Sequence, residues 1–256
     1  LVALAADVVR PRDGRVVVVR FEEIPDQAPL TDDATVQSPA DRSFETRVEE
    51  LGTEFGVVVE ADEVVSHDTK HAIVNFADHH GMDAILAEHE PLRLRSRLLG
   101  DPVDWVVRHA SCDVFLVDNV GYDAPADVAL SGDGGPYDSR AVALADAVAT
   151  ANGGRISLRY PDDGETDQHS RTIDDYRSTL SSLLSVPVRS EAIRPDGGSL
   201  APPDLLVRTG ADHRLRTALF DDRPTILNPG CTTVTVYPQA DRRPPLVRRL
   251  LERFVF

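Results

Sequence analysis

An internal repeat constrains the fold of this chain more than any other feature of its sequence. Residues 1–16 align without a gap with residues 141–156, and seven of the aligned positions are identical. Two further pairs of similar segments follow in the same order, 83–86 with 204–207 and 112–117 with 231–236. Each opening segment is typical of an Ala-rich helix closed by glycine and followed by a strand. The sequence therefore predicts two tandem copies of one α/β unit.

The order of apolar segments predicts the elements of the first copy. Helices are expected at 1–10, 42–54, 69–80 and 98–109, and strands at 15–21, 57–65, 83–87 and 113–118. Strands separated by helices pair in parallel through right-handed crossovers. We expect a first domain at 1–119 and a second at 120–256, each a three-layer α/β/α fold with a mainly parallel five-stranded sheet.

The second copy begins with a strand that the first copy lacks. Residues 127–131 are an apolar run followed by a glycine-rich turn, and Ser139 is a candidate N-cap of the next helix. Since no such run precedes the helix at 1–10, we expect the first domain to lack its first strand, with residues upstream of Leu1 supplying it. Residues 195–203, rich in Gly, Ser and Pro, take the place of the second copy's third helix.

The charge of the chain is strongly acidic and argues against one class of partner. The net charge is −16, with 30 Asp, 13 Glu and a single lysine, Lys70, among 27 basic residues. Short carboxylates spread along the whole chain, with few lysines, are typical of proteins that stay soluble at high salt, so we expect a halophilic source. Outside the C-terminal end no basic stripe offers phosphates a binding surface, which argues against nucleic acid as a partner.

Neither metal ligands nor catalytic groups are expected. Cys112 and Cys231 have no zinc-type or Cys-x-x-Cys spacing and are expected to be free thiols. His71 and His79 lie two turns apart on one predicted helix, without a Glu-x-x-His arrangement. No Gly-x-Ser-x-Gly motif is present. We expect a non-enzymatic protein in which Trp105 has a packing role.

The C-terminal segment 242–256 is basic and amphipathic, and Pro244 and Pro245 can start a helix there. The plainer interpretation is a helix that packs on its own domain or on a homodimer partner. The alternative is attachment to an anionic membrane surface or to an acidic partner.

Two segments resemble the universal stress protein family. Residues 71–86 resemble the family's helix and fourth strand, and residues 98–117 resemble its last helix and last strand. The resemblance extends over both copies and implies the adenine nucleotide alpha hydrolase-like fold. It also implies that the copies pack through their last strands or helices, which forms within one chain the dimer that single-domain members form between chains.

Family members that bind ATP carry the pattern Gly-x2-Gly-x9-Gly-Ser/Thr after the fourth strand, where backbone amides hold the phosphates. In the first copy this pattern falls on Ala87, Glu90, Gly100 and Asp101, so one of its three glycines remains. Glu90 stands in place of the second glycine, and Asp101 stands in place of the Ser or Thr. Like charges at these positions repel a triphosphate. We therefore expect the first copy to reject ATP.

The second copy retains more of the pattern. Gly210 stands at the first position, whereas His213 and the pair Asp221-Asp222 occupy later ones. By resemblance, the loop 132–134 is where the family has an aspartate that contacts adenine. The candidate nucleotide-binding residues are Gly132, Asp133, Gly134, Gly210, Asp212 and Gly100. We expect no required cofactor, with ATP or AMP as the candidate ligand.

Three functions are consistent with these features. The first is a cytoplasmic regulatory or sensory module, the C-terminal part of an amino-acid or cation transporter, as the resemblance to tandem modules behind haloarchaeal amino-acid permeases implies. Its partner would be the transporter's membrane domain, at the inner face of the membrane. The second is a free-standing tandem universal stress protein that binds ATP or AMP. An enzyme of the related hydrolase fold comes last, because no catalytic groups were found.

Overall fold

A computed structural model describes residues 1–25, 39–88, 102–132, 136–161, 167–193, 201–210 and 230–239, in which helices and strands alternate. The helices are α1 (Val2–Val9), α2 (Pro39–Phe55), α3 (Thr69–His79), α4 (Pro102–His109), α5 (Ser139–Ala151) and α6 (Asp167–Leu183), and a 3-10 turn at Arg10–Arg12 follows α1. The strands are β1 (Arg15–Glu23), β2 (Val58–Ser66), β3 (Ala84–Glu88), β4 (Asp113–Asp118), β5 (Asp127–Ser131), β6 (Arg155–Pro161), β7 (Val188–Ile193), β8 (Leu205–Thr209) and β9 (Thr232–Tyr237).

The elements predicted for residues 1–119 are present. Their bounds differ from the prediction by at most three residues, apart from the predicted helical residues 98–101, which lie outside the described residues. The strand predicted at 127–131 is β5. Apolar periodicity is a local signal, which is why it locates these elements well.

The described strands form two sheets. Seven of them are ordered β3-β4-β9-β8-β5-β6-β7, and β1 pairs with β2 in a separate two-stranded sheet. Every pair is parallel except β4 with β9, in which Phe115 lies opposite Val236. The prediction of a mainly parallel α/β fold is confirmed. The strands are not divided into two five-stranded sheets, because β4 and β9 pair with each other; both strands are buried along nearly their whole length, and each covers the other's edge.

The larger core cluster lies between the seven-stranded sheet and two helices that pack against each other, α1 and α5. Leu4 of α1 and Leu144 of α5 are 0% and 2% exposed. A second cluster lies between α3, α4, β3 and β4 and includes Cys112. The parallel pairing of β5 with β6 and with β8 places the carboxyl ends of these three strands at one edge of the sheet.

The N-cap of α5 differs from the prediction. Asp138, and not Ser139, caps the helix: its Oδ1 accepts the backbone N–H groups of Arg140 and Ala141 at 2.8 and 3.2 Å. Ser139 is already the first helical residue. An aspartate caps as well as a serine, so the extended backbone of Asp138 decides which residue serves.

Cys112 and Cys231 are not joined in a disulfide. Cys112 is buried just before β4, and Cys231 is half-buried just before β9. Burial raises the pKa of the Cys231 thiol.

Several predictions concern residues outside the described ranges. One is the segment 195–203, expected in place of the second copy's third helix, of which residues 195–200 are not described. Another is the basic segment 242–256. Among the described helices, none has the length and apolar character required to cross a bilayer.

Candidate site at the carboxyl ends of the central strands

Gly132 and Gly210 lie at the same edge of the sheet. β5 and β8 are paired in parallel, with Ser131 opposite Arg208, and the two glycines follow the last residues of these strands. The crevice beyond the carboxyl ends of parallel strands is the usual ligand site in open α/β sheets. Of the other predicted site residues, Asp133, Gly134, Asp212 and Gly100 lie outside the described residues. The structure therefore brings together the two candidates that it describes.

A tyrosine covers Gly132. A Cβ atom added to Gly132 would lie 2.9 Å from Cε1 of Tyr137. The Tyr137 hydroxyl donates to the carbonyl oxygen of Arg159 at 3.2 Å, and the N–H of Gly132 donates to the same oxygen at 3.2 Å. The Tyr137 ring stacks on the Tyr176 ring with centroids 5.9 Å apart, and the Tyr176 hydroxyl accepts the Tyr137 N–H. Aromatic side chains thus fill the space above the end of β5.

A second tyrosine covers Gly210. The ring of Tyr237, the last residue of β9, occupies the position that a Cβ atom on Gly210 would take. The Gly210 N–H donates to the carbonyl oxygen of Val236 at 2.8 Å, which extends the β8–β9 pairing by one residue. In a phosphate loop a glycine leaves room for the ligand to approach the backbone. At Gly210 the protein's own ring takes that room.

Arg159, a buried residue at this edge, has its guanidinium bound by other groups of the protein. Arg159 of β6 is 2% exposed; its Nε lies 3.1 Å from the Glu191 carboxylate, and its Nη2 donates to the carbonyl oxygen of Ala201 at 2.8 Å. A buried charge requires such partners, and this guanidinium is therefore not free to bind an anion. Sequence reasoning missed Arg159, although a charged residue after the apolar run of β6 was a visible signal.

The carboxyl ends of the strands in the first half are acidic. β1 ends at Glu23, β3 at Glu88 and β4 at Asp118. Ala87, the first position of the expected phosphate pattern, lies within β3, which continues to Glu88, one residue beyond its predicted end. Glu90, Gly100 and Asp101 lie outside the described residues. The described part of this edge provides negative charge where a phosphate needs donors.

The N-terminus of α3, which follows β2, is also occupied by a carboxylate. Asp68 caps α3 by accepting the His71 N–H at 3.3 Å, and Lys70 Nζ lies 3.1 Å from its other oxygen. Desolvation raises the pKa of Asp68, but Lys70 and the His71 N–H outweigh it, so the pKa lies below its usual value. This helix end is thereby satisfied within the protein.

The histidines of α3 and α4 are involved in aromatic packing. Trp105 is half-buried between His71 and His109, with ring centroids 4.3 and 4.0 Å away. The His80 ring stacks on Phe76 at 4.1 Å. In the described ranges, no three His, Cys, Asp or Glu side chains are grouped closely enough to hold a metal ion. Trp105 lies at the α3–α4 contact, in agreement with a packing role.

Comparisons with known proteins identify the fold. Residues 1–118 match the model of the universal stress protein family. No curated protein sequence matches the chain. The cytoplasmic domain of a prokaryotic cation chloride cotransporter is similar in structure, with a TM-score of 0.59 and 13% identity over 93% of this chain and 92% of that one.

Two further solved structures are similar. A universal stress protein from Archaeoglobus fulgidus DSM 4304 has a TM-score of 0.54 and 14% identity over 93% of this chain and 92% of that one. A putative universal stress protein from Pseudomonas aeruginosa UCBPP-PA14 has a TM-score of 0.51 and 14% identity over 92% and 87%. At these identities the likeness shows the fold, which is the one that the resemblance implied.

Proposed function

We propose, from the family match over residues 1–118 and the fold of the whole chain, that the protein is a pair of tandem universal stress protein domains at 1–119 and 120–256, with a non-enzymatic regulatory or sensory function. The nucleotide site of each domain is degenerate. Regulation then depends on contact between surfaces and not on nucleotide chemistry. ATP or AMP is not required.

The observation that carries this proposal is the contact between Tyr237 and Gly210. A phosphate cradle needs backbone amides that point into open space. The Gly210 N–H is already bonded to Val236, and the Tyr237 ring fills the space beside it. Both requirements are therefore unmet at the glycine that the second copy retains.

The sheet order supports the tandem arrangement. β7-β6-β5-β8-β9 is a continuous parallel set of five strands, and β4 lies beside β9. The last strands of the two proposed domains are thus neighbours, and their pairing is antiparallel. Antiparallel pairing of equivalent strands is what a two-fold relation between the domains produces. The first partner of each domain is then the other domain of the same chain, and a homodimer partner is the alternative.

We further propose that the pair is the C-terminal cytoplasmic part of an amino-acid or cation transporter from a salt-adapted organism, next to the inner face of the membrane. The similarity to a solved structure that is itself a cotransporter's cytoplasmic domain supports this, as does the net charge of −16 with one lysine. The transporter's membrane domain would then be the partner.

A second function is favoured by a different observation. Gly132 and Gly210 remain at adjacent strand ends, where the family is expected to bind adenine nucleotides. A free-standing tandem stress protein that binds ATP or AMP therefore stays a candidate.

Titration calorimetry of ATP and AMP in molar KCl separates the two functions. We expect no sub-millimolar binding by the wild type. We also expect none by Tyr237→Ala, since removing the ring leaves the Gly210 N–H bonded to the carbonyl oxygen of Val236. Sub-millimolar binding by the wild type contradicts the proposal and favours the nucleotide-binding function.

The transporter assignment has a separate test. Expression of the full reading frame with its upstream sequence should place the protein in the membrane fraction after carbonate washing. Recovery of the intact full-length product in the supernatant contradicts that assignment while leaving the domain assignment unaffected.

A further inference from the structure

One asparagine of the chain is followed by glycine, and it lies at the contact between α1 and α5. The sequence has four asparagines, at 75, 119, 152 and 228, and the residues that follow them are Phe, Val, Gly and Pro. An Asn-Gly pair is prone to hydrolysis of the side-chain amide, because glycine has no Cβ to hinder the approach of its backbone nitrogen to that side chain. Asn152 and Gly153 are therefore the chemically labile pair among the four.

The reaction at such a pair needs only one water molecule as co-reactant. The Gly153 nitrogen attacks Cγ of Asn152 and loses its proton, the Cγ–Nδ2 bond breaks, and ammonia leaves. Water then adds to either carbonyl carbon of the succinimide ring and opens it, which gives aspartate or isoaspartate. A carboxylate thus replaces a neutral amide, with no oxidant and no cofactor.

In the folded chain, hydrogen bonds and backbone geometry protect this pair. Asn152 Nδ2 donates to Asp7 Oδ2 at 2.8 Å and to the carbonyl oxygen of Val148 at 2.9 Å. The Gly153 nitrogen, which is the nucleophile, donates its N–H to the carbonyl oxygen of Thr150 at 3.3 Å. The ψ angle of Asn152 is 5°, which turns the Gly153 nitrogen away from the Asn152 Cβ. Ring closure therefore requires the end of α5 to open.

α1 provides part of this protection. Asp7 of α1 is 6% exposed, and its Oδ2 also accepts the Tyr122 hydroxyl at 2.6 Å, so the carboxylate is held in place beside Asn152. α1 and the 3-10 turn after it pack along α5. When α1 separates from α5, Asn152 loses this acceptor, and a helix end that has lost a tertiary contact opens at little cost. The rate of the reaction thus depends on the docking of α1.

The product of the reaction changes the sign of the contact. Aspartate or isoaspartate at position 152 places a carboxylate where Asp7 Oδ2 now meets a donor at 2.8 Å. Two carboxylates at that distance, one of them buried, repel each other strongly because little water screens them. The modified chain therefore docks α1 more weakly than the original chain does.

We propose that Asn152 is a modification site, at which hydrolysis of the side-chain amide acts as a one-way switch of the contact between α1 and α5. The site is protected while α1 is docked and is exposed whenever α1 is released. The product opposes redocking, so the modification records how long α1 has been released. This inference does not depend on the proposed function.

The first test measures the rate of the reaction in the full chain, in mildly alkaline buffer with molar KCl. Trypsin cleaves after Arg140 and Arg155, so the peptide 141–155 carries Asn152, and its mass gain reports conversion of the amide to an acid. We expect Asp7→Ala to react about tenfold faster than the wild type, because the acceptor is lost and α1 is held less firmly. Asp123→Ala, which removes an exposed carboxylate, is the matched control and should react as the wild type does.

Two results of this test overturn the proposal. One is an equal rate in Asp7→Ala and in the wild type, because the docking of α1 then does not protect Asn152. The other is a wild-type rate equal to that of the chain unfolded in guanidinium chloride, because the fold then gives no protection at all.

The second test measures the consequence of the modification by hydrogen–deuterium exchange of the α1 amides. Asn152→Asp reproduces the product, Asn152→Ala removes the donor without adding a charge, and the double variant Asp7→Asn/Asn152→Asp exchanges the two groups. We expect α1 to exchange about tenfold faster in Asn152→Asp than in Asn152→Ala, and the double variant to return towards the wild type. Equal exchange in Asn152→Asp and Asn152→Ala overturns the switch, as does a double variant that exchanges no more slowly than Asn152→Asp.

Discussion

The buried carboxylate of Asp7 provides the sharpest test of how α1 is held in the molecule. Asp7 is 6% exposed and accepts three hydrogen bonds: from Tyr122 Oη at 2.6 Å, from Asn152 Nδ2 at 2.8 Å and from Arg10 Nη1 at 2.8 Å. These donors come from the 3-10 turn after α1, from the segment after β4 and from the residue that follows α5. One side chain thus connects the two halves of the chain.

Replacing this side chain removes the acceptor and leaves its donors in place. In Asp7→Ala, the Tyr122 hydroxyl loses its acceptor and the Asn152 amide loses one of two. A half-buried donor left without a partner costs about 1–3 kcal/mol, and hydrogen bonds to a charged group contribute about 1.5–3 kcal/mol each. We expect a loss of about 3 kcal/mol in the free energy of unfolding, or roughly 6–12 °C in Tm for a chain of this length.

Urea denaturation in molar KCl measures this loss. Trp105, the single tryptophan, lies away from Asp7 in α4, so its fluorescence reports unfolding without being altered by the substitution. Asp123→Ala is the matched control, because Asp123 is exposed one residue after Tyr122; its effect should stay within about 0.5 kcal/mol. An Asp7→Ala effect as small as that of the control would show that the three contacts do not stabilise the packing of α1.

Three further changes have defined outcomes. Burial and the Asp7 carboxylate raise the pKa of Tyr122, so the neutral Tyr122 hydroxyl stabilises the fold fully below about pH 10, and this contribution declines above that pH. Above about pH 10, the urea midpoint of the wild type should therefore fall more steeply than that of Tyr122→Phe. Burial raises the pKa of Asp146, whose Oδ1 has no hydrogen-bond partner in the described part of the chain. Asp146→Asn should therefore increase stability by up to about 1 kcal/mol at pH 7, with no gain below about pH 4. Gly210→Ala should lower the free energy of unfolding by about 1–3 kcal/mol through overpacking against Tyr237, and adding Tyr237→Ala should relieve most of this cost. If the costs of the two single variants simply add in the double variant, the two residues are not in contact.

Much of the fold was predictable because its signals are local. The apolar runs at 113–118 and 127–131 gave the bounds of β4 and β5 without error. The pairing of β4 with β9 could not be read in this way, because which two apolar strands become neighbours depends on packing between distant parts of the chain. The family resemblance, and not the pattern of residues, indicated that the two copies pack through their last strands or helices.

The places of Gly132 and Gly210 at strand ends could be predicted from the sequence, but the rings that cover them could not. Gly132 and Gly210 directly follow the apolar runs that form β5 and β8, which places them at the carboxyl ends of these strands. That each glycine accommodates a tyrosine ring of the protein was not visible, since a glycine needed for a ligand and one needed for a neighbouring side chain look the same in sequence. Tyr237 comes 27 residues after Gly210 along the chain, and only the β8–β9 pairing brings it close.

Covalent linkage of the two halves allows the contact between α1 and α5 to be unequal. At the offset of 140 that aligns the opening segments, Asp7 corresponds to Ala147 and Arg12 to Asn152. Two identical subunits would carry every substitution twice, so a carboxylate on one side would come with a second carboxylate on the other. In a single chain each side mutates on its own, and here one side has become an acceptor while the other supplies the Asn152 donor. The halves can therefore recognise each other in preference to a second copy of themselves, which selects against the exchange of halves between molecules at the high protein concentrations of a cell.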